Sequence, residues 1–319
     1  MRLLITGAAG FIGSHFVLRH GKTSPEDTIV VLDKLTYAGN REYLAPVADA
    51  ITFVQGDIAD HALVMRLVRE HRIDTIVNFA AETHVDRSID DPFPFLHTNV
   101  LGVQSLIDVC RKLPALRLLH ISTDEVYGDL DDADHPRRTE DPLRPSSPYA
   151  ASKAAGDHLV MAAMRTYGIP AAISRCTNNF GPHQAFEKFI PTVIRSALHD
   201  HSVPIYAEGK NKRDWLFVTD HTDAVELILK TDWAFFDPKI NSGHIFNVSA
   251  DCERQNIDVA KAILKIMKKP EKLLTSVKDR PGHDWRYALD SSAIRKLGWK
   301  PKVAFEEGLK KTVEWYRHA

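Results

Sequence analysis

The chain has 319 residues, 44% hydrophobic and 26% charged, with 41 basic against 42 acidic side chains for a net charge of −1. That length can bury a large core and suggests about two domains, while the balanced charge excludes a global field recruiting nucleic acid or an anionic membrane surface. Cys110, Cys176 and Cys252 are far apart and in no metal-ligand spacing, which excludes a disulfide framework and leaves no expected metal site. No run approaches the roughly 18 apolar residues of a membrane helix, and the first residues read as a strand rather than a leader, so a soluble, cytoplasmic protein is expected.

Leu3-Leu4-Ile5 is a short apolar run that ends in Thr6-Gly7-Ala8-Ala9-Gly10-Phe11-Ile12-Gly13, the pattern of a buried strand, a glycine turn and a helix start. Gly7 allows the tight turn, Gly10 lets backbone approach a pyrophosphate, and Gly13 lets helix and strand pack closely, with free helix amides facing the phosphates. The spacing is G-x-x-G-x-x-G, and its context strengthens it: Ile29-Val30-Val31-Leu32 ends in Asp33, where a carboxylate accepts from ribose hydroxyls and repels a 2′-phosphate. A dinucleotide site preferring NAD to NADP is therefore expected.

Strand and helix patterns then alternate: Ile51 to Val54, a helix from about Asp60 to His71, Thr75 to Val77, a long helix from about Pro92 to Lys112, and Leu116 to Ile121. Repeated units of this kind predict a parallel, doubly wound α/β sheet with ligands at the carboxyl ends of its strands. The residues to inspect are thus Asp57 and Ile58, which could pair with and cover an adenine, small Ala80 and Ala81 for close approach, and the segment from Ser122 to Gly128. The stretch from Asp129 to Ser146 has no periodicity, and a long irregular loop is expected to lie over the cleft as a partial lid.

Ser147 and Pro148 open a helix on which Tyr149 and Lys153 share a face. A lysine charge about 4 Å from the phenol, at an effective dielectric of about 20, is worth on the order of 4 kcal/mol, which would bring a group titrating near 10 toward neutrality. Tyr149 is therefore expected to serve as a base. After the strand Ala171 to Arg175 the character changes to polar clusters, with Arg213-Asp214-Trp215 preceding an expected strand, Leu216 to Val218. A smaller α/β domain, 176–319, is expected to interleave with the first, 1–175, because Asp220 to Thr231 and His244 to Val248 (within about 219–248) read as a helix and strand returning to the main sheet. The segment after about Asp290 reads as two amphipathic helices.

With these residues in view, the chain resembles the extended short-chain dehydrogenases/reductases, and within them the nucleotide-sugar 4,6-dehydratases, along nearly its whole length. The marks are the glycine turn, Asp33 to Asn40, Phe79 to Ile89, Ser122 to Gly128, Tyr149 with Lys153, Asn178 to Pro182, Arg213-Asp214-Trp215 and Arg280 to Tyr287. Asp124 and Glu125 discriminate: related 4-epimerases carry no such acidic pair, since epimerisation needs only a hydride removed and returned. The resemblance implies a Rossmann-like fold, NAD, a nucleotide-sugar substrate and a homodimer. The implied reaction takes a hydride from the sugar's carbon 4, with Tyr149, Lys153 and Thr123 at the hydroxyl. Glu125 and Asp124 then eliminate water across carbons 5 and 6, and the hydride returns to carbon 6. For Asp124 to be an acid near pH 7 it must be buried beside a second negative group.

Residue by residue, the resemblance places NAD against Gly7, Gly10, Phe11, Ile12, Gly13, Asp33, Lys34, Thr36, Asp57, Ile58, Phe79, Ala80, Ala81, Tyr149, Lys153 and Asn178. It places the substrate against Thr83, His84, Thr123, Asn178, Glu187, Lys188, Arg213, Asn247, Arg280, His283 and Tyr287. Departures at Gln184-Ala185-Phe186, Thr83 and Ser249 to Cys252 bear on the nucleotide base, so dTDP-glucose is the favoured substrate, with UDP-glucose, another nucleoside-diphosphate hexose or 4-epimerisation as alternatives.

Overall fold

The computed structural model describes residues 1–231, 244–279 and 281–318. Its first half alternates β1 (Arg2–Thr6), α1 (Phe11–Thr23), β2 (Thr28–Asp33), β3 (Ile51–Gln55), α2 (His61–Glu70), β4 (Thr75–Asn78), α3 (Val85–Asp90), α4 (Phe93–Leu96), α5 (Val103–Lys112), β5 (Arg117–Thr123), α6 (Pro148–Tyr167) and β6 (Ala171–Cys176). The second half holds β7 (Asn178–Phe180), α7 (Phe189–Leu198), β8 (Val203–Tyr206), β9 (Lys212–Phe217), α8 (Val218–Lys230), β10 (Ile245–Val248), β11 (Glu253–Gln255), α9 (Asn256–Met267), β12 (Leu274–Val277), α10 (Ser292–Lys296) and α11 (Phe305–Tyr316).

The central strands are continuous apolar runs because both faces of the sheet are covered. Leu3, Leu4, Ile5, Val30, Val31, Ile76, Val77, Leu118 and Leu119 are fully buried. One face packs on α1 and α8 through Phe16, Val17, Val225 and Ile228; the other packs on α2, α5 and α6 through Val64, Leu67, Leu106 and Val160. The seven strands run in the order β10-β6-β5-β4-β1-β2-β3, all neighbours parallel. This is the doubly wound, Rossmann-like sheet the alternation predicts. Strand addition reverses between β1 and β4, so the loops leaving those two carboxyl ends diverge and open a crevice.

A second core, built on Phe180, Val193, Ile263, Leu309 and Val313, joins α7, α9 and α11 to the small sheet β11-β9-β7, and β12 pairs with β8. β10 lies beside β6 in the main sheet, so the chain returns there after building part of this second core.

Three expectations need correction. The helix expected from Pro92 to Lys112 is interrupted by a π-helical turn, His97–Gly102, between α4 and α5. A Cβ at Gly102 would stand 2.6 Å from Ile58 Cδ1, so the bare glycine lets the wider turn rest on the crevice wall. The strand expected at Leu216 to Val218 begins earlier, at Lys212, because Lys212 to Asp214 pair with β11; Val218 already opens α8. Of the two C-terminal helices only α11 is long; α10 has five residues.

Candidate active site

The crevice begins at the glycine turn. Gly7 has φ +67°, and a Cβ there would stand 2.5 Å from the backbone nitrogen of Ala80; one on Gly13 would stand 2.5 Å from the Gly7 carbonyl oxygen. β1, β4 and α1 therefore meet with no room for side chains, and α1 starts at Gly10 with its first amides uncapped by any side chain. A Gly7→Ala variant is expected to melt at lower temperature, by roughly 1 kcal/mol or more of stability, and to lose dinucleotide affinity; calorimetry and dinucleotide titration check both.

Asp33, at the end of β2, accepts from the backbone N–H groups of Ala9 and Leu35, each at 2.8 Å. Burial pushes its carboxyl up against the pull of those two bonds. The neighbouring Lys34 ammonium lies 2.8 Å from Asp57, which also meets His97 Nε2 at 3.0 Å. Burial works to raise Asp57, but Lys34, the Ala59 amide and His97 outweigh it and hold it low. Lys34 is thus committed to a carboxylate, in keeping with a site that does not hold a 2′-phosphate.

At the other end of the crevice, Ser147 caps α6 by accepting from the Ala150 N–H at 3.1 Å, and Pro148 occupies the first turn. Tyr149 and Lys153 are buried one above the other, and Lys153 Nζ donates to the Ile121 carbonyl at 2.7 Å. Burial lowers Lys153 to about 8, opposed by the charge of Asp157 one turn further along α6. For Tyr149 the expected direction is reversed. Burial, and then the Glu125 carboxylate, push its phenol well above the ordinary range, with only the Thr123 hydroxyl pulling it down. Desolvation, which no residue spacing reports, is the largest influence on the phenol here.

Asp124 is 3% exposed, accepts from Thr123 Oγ1 at 3.1 Å, and leaves its second carboxylate oxygen buried without a hydrogen-bond partner among the described residues. Burial first and Glu125 second raise it well above the carboxylate range. This is the condition set above for a carboxylic acid near neutrality.

One cavity connects these two ends. Its wall includes every residue expected to touch NAD, the acidic pair, and Thr83, Thr123, Asn178 and Lys188 of the residues expected at the substrate. Lys188 Nζ donates to the Thr83 carbonyl at 2.6 Å. His84 and Glu187 flank that contact without lining the cavity: His84 caps α3 by accepting from the Arg87 N–H at 3.3 Å, and its imidazole is lowered by burial, then by Lys188. Arg213 and Tyr287 lie beyond the acidic pair, near enough that Arg213 acts on Asp124 and Glu125 acts on Tyr287. Arg213 is buried over the Tyr287 ring at 4.4 Å and donates to the carbonyls of Lys212, Asp284 and Trp285, rather than to any surface carboxylate.

Other expected residues fall elsewhere. Asn247 is off the cavity wall, because both ends of its amide are committed: it accepts from the Tyr127 hydroxyl and donates to the Arg137 carbonyl, each at 2.9 Å. His283 turns to Asp279 at 2.6 Å. Arg280 lies outside the described residues. The Asp129 to Ser146 loop contributes nothing to the cavity wall. Asp129 accepts from the Trp285 and Arg286 amides at 2.6 and 3.1 Å, and Arg137 bridges to the strand-like run at Leu289, so the loop is stitched to the late segment instead of covering the crevice.

Thr98, Cys176, Thr177, Asn179 and Gln184 also line the cavity without having been assigned to the site from the sequence. Cys176 ends β6 and Thr177 follows it, so the carboxyl-end rule used for β3 to β5 would have found both; Asn179 and Gln184 lie in and after β7, outside that sheet, and Thr98 comes from the π-helical turn, which has no sequence signal. The residues present fit a dinucleotide. The glycine turn admits a diphosphate, Asp33 suits ribose hydroxyls, and buried Ser122 Oγ, Thr177 Oγ1 and Asn178 Oδ1 on the wall have no hydrogen-bond partner among the described residues.

A doubly wound sheet whose glycine turn and Tyr149–Lys153 pair face one another across a switch-point crevice marks an extended short-chain dehydrogenase/reductase. The family model described as GDP-mannose 4,6 dehydratase matches residues 4–312, and the chain belongs to that family. It is 51% identical to a dTDP-glucose 4,6-dehydratase of Mycolicibacterium smegmatis, covering 99% of this chain and 93% of that protein. A crystal structure of a dTDP-glucose 4,6-dehydratase from Streptomyces venezuelae with NAD and TYD bound is 43% identical, with a TM-score of 0.92, covering 99% of this chain and 97% of that one. A Thermus thermophilus UDP-glucose 4-epimerase in complex with NAD is 31% identical, with a TM-score of 0.89, over 100% of both chains.

Proposed function

We propose that the chain is an NAD-dependent dTDP-glucose 4,6-dehydratase. The observation that carries this reading over 4-epimerisation is Asp124: a buried carboxyl beside Glu125, raised well above its ordinary range, at the same cavity wall as Tyr149 and Lys153. A pair of this kind serves elimination and is superfluous to a hydride shuttle.

Bound NAD would supply the acceptor for the carbon 4 hydride and its later donor to carbon 6, and the positive charge of its oxidised ring would favour a phenolate at Tyr149. Tyr149, oriented by Thr123 and held by the Lys153 charge, takes the proton of the carbon 4 hydroxyl as the ketone forms. The ketone acidifies the hydrogen on carbon 5, which Glu125 removes. Asp124 gives its proton to the hydroxyl on carbon 6, the C–O bond breaks and water leaves. After hydride return at carbon 6, Glu125, its proton exchanged with solvent, protonates carbon 5, and the proton on Tyr149 makes good, through solvent, the one Asp124 spent. The net loss is one water.

Glu187, Lys188, Arg213, Arg280 and Tyr287 are proposed to hold the nucleotide and its phosphates, with His84 and Asn178 nearer the sugar. Arg213's planar fork suits a phosphate. We also propose a division at about residue 175, with 219–248 returning to the first unit, and a cytoplasmic location, to which the unpaired Cys110, Cys176 and Cys252 are suited.

The direct test is incubation with dTDP-glucose and, separately, UDP-glucose, followed by alkali, which gives a 4-keto-6-deoxy sugar a strong near-ultraviolet absorbance. Absorbance with dTDP-glucose supports the reading; absorbance with UDP-glucose alone changes the substrate, and a 4-epimer alone removes the reaction. Two copies are proposed to pair through α6, which carries Tyr149, and the helical segment before it, where Phe93, Leu96 and Leu101 are 75%, 45% and 59% exposed. Leu101→Asp is expected to shift the sedimenting species from dimer to monomer.

A further inference from the structure

Tyr37 lies in the segment leaving β2, between Thr36 and Ala38, which both line the cavity although Tyr37 does not. That segment is pinned at both ends: Asp33 accepts from the Leu35 N–H at 2.8 Å, and the Asn40 N–H donates to the Ala9 carbonyl at 2.9 Å. Across the cavity mouth, Glu82 and Thr83 form the opposing wall. They are held as firmly, Glu82 by two backbone bonds to the Asn99 side chain at 3.0 Å and Thr83 by Lys188 at 2.6 Å.

Tyr37 spans the gap between these two fixed walls. The Arg87 guanidinium of α3 sits 3.8 Å from its ring centre, and the Thr83 side chain lies close enough to its hydroxyl to pull the phenol down. Yet the residue is 43% exposed, so it serves no core. Burial, then Glu187 and Glu82, push its phenol up to about 12, which keeps the contact uncharged on the tyrosine side at any working pH.

We propose that Tyr37 and Arg87 are positioning residues whose contact straps the crevice shut over the dinucleotide for the whole catalytic cycle. The inference rests on the function proposed above. A hydride taken at carbon 4 reaches carbon 6 of the same sugar only if the reduced dinucleotide stays in place while water is eliminated, and the walls at Thr36 and Thr83 bound the way out. Breaking the Tyr37 bridge opens that way without touching Tyr149, Asp124 or Glu125.

The test follows release of NADH from the loaded, purified enzyme by its fluorescence after excess NAD is added. Tyr37→Ala and Arg87→Ala are expected to release it about tenfold faster than the parent, the size of a partly desolvated cation–π contact, and Tyr37→Phe, which keeps the ring over Arg87 but removes the hydroxyl beside Thr83, falls between. In turnover of dTDP-glucose labelled at carbon 4, Tyr37→Ala is expected to pass label into free NADH, a leak that a merely weakened fold does not produce. Should the alanine variants fail to fold, Tyr37→Phe and Arg87→Lys carry the same comparison at roughly two- to fivefold. Equal release rates and no leak in folded variants overturn the strap and leave the NAD-dependent reaction standing. A parent that binds no NADH overturns the proposed function itself.

Discussion

Replacing Asp124 by Asn is expected to slow water loss by about 10² to 10⁴ while the first oxidation proceeds, so that NADH absorbance at 340 nm appears and persists in place of product. The amide keeps the size of the carboxyl and still accepts from Thr123 Oγ1, the 3.1 Å bond that orients the side chain. It has no proton to give to a departing hydroxyl. The fold is expected to survive, because the substitution removes a buried group whose ionisation is opposed by burial and by Glu125. The same physics sets the pH dependence: Asp124 stays protonated above the usual carboxylate range, and elimination falls as pH rises through its raised pKa. Loss of the NADH signal in Asp124→Asn would show instead that Asp124 acts before water leaves.

Replacing Tyr149 by Phe is expected to abolish both stages, lowering the first oxidation by about 10² to 10⁴ so that no NADH accumulates with dTDP-glucose. The phenol is well above its ordinary pKa in the protein, pushed there by burial and Glu125, so the proton acceptor exists only where positive charge is gathered. Lys153 is the protein's share of that charge. Since burial lowers it to about 8, the ammonium is present below that pH and lost above it. The rate of the first oxidation, measured by stopped flow, is therefore expected to fall on the alkaline side of about 8. A profile rising steadily through pH 9 would remove Lys153 from this role.

Local patterns made much of the fold legible. The run Leu3-Leu4-Ile5, the glycines and the alternation to β6 encode buried parallel strands with tight turns, and Ser147-Pro148 marks the start of α6, where the N-cap bond is found. The crevice followed from the carboxyl-end rule. What stayed hidden depended on partners distant in sequence. Burial outweighs the Lys153 charge at Tyr149, and no residue spacing reports burial. Asn247 is drawn off by Tyr127 and Arg137, more than a hundred residues away. The Asp129 to Ser146 loop reads as a lid until Trp285 and Arg286 are found to hold it elsewhere. The π-helical turn carrying Thr98 and the Tyr37–Arg87 contact likewise depend on how separate segments meet.

The central claim is that Asp124 and Glu125 expel water from a sugar made transiently ketonic, with the abstracted hydrogen restored inside one molecule. Conversion of dTDP-glucose deuterated at carbon 4, run in ordinary water and read by NMR of the product, tests it most directly, with a companion run of unlabelled sugar in deuterium oxide. The account predicts deuterium moved to carbon 6 in the first run and solvent deuterium at carbon 5 in the second. Label retained at carbon 4, or product whose carbon 5 carries no solvent deuterium, would contradict it.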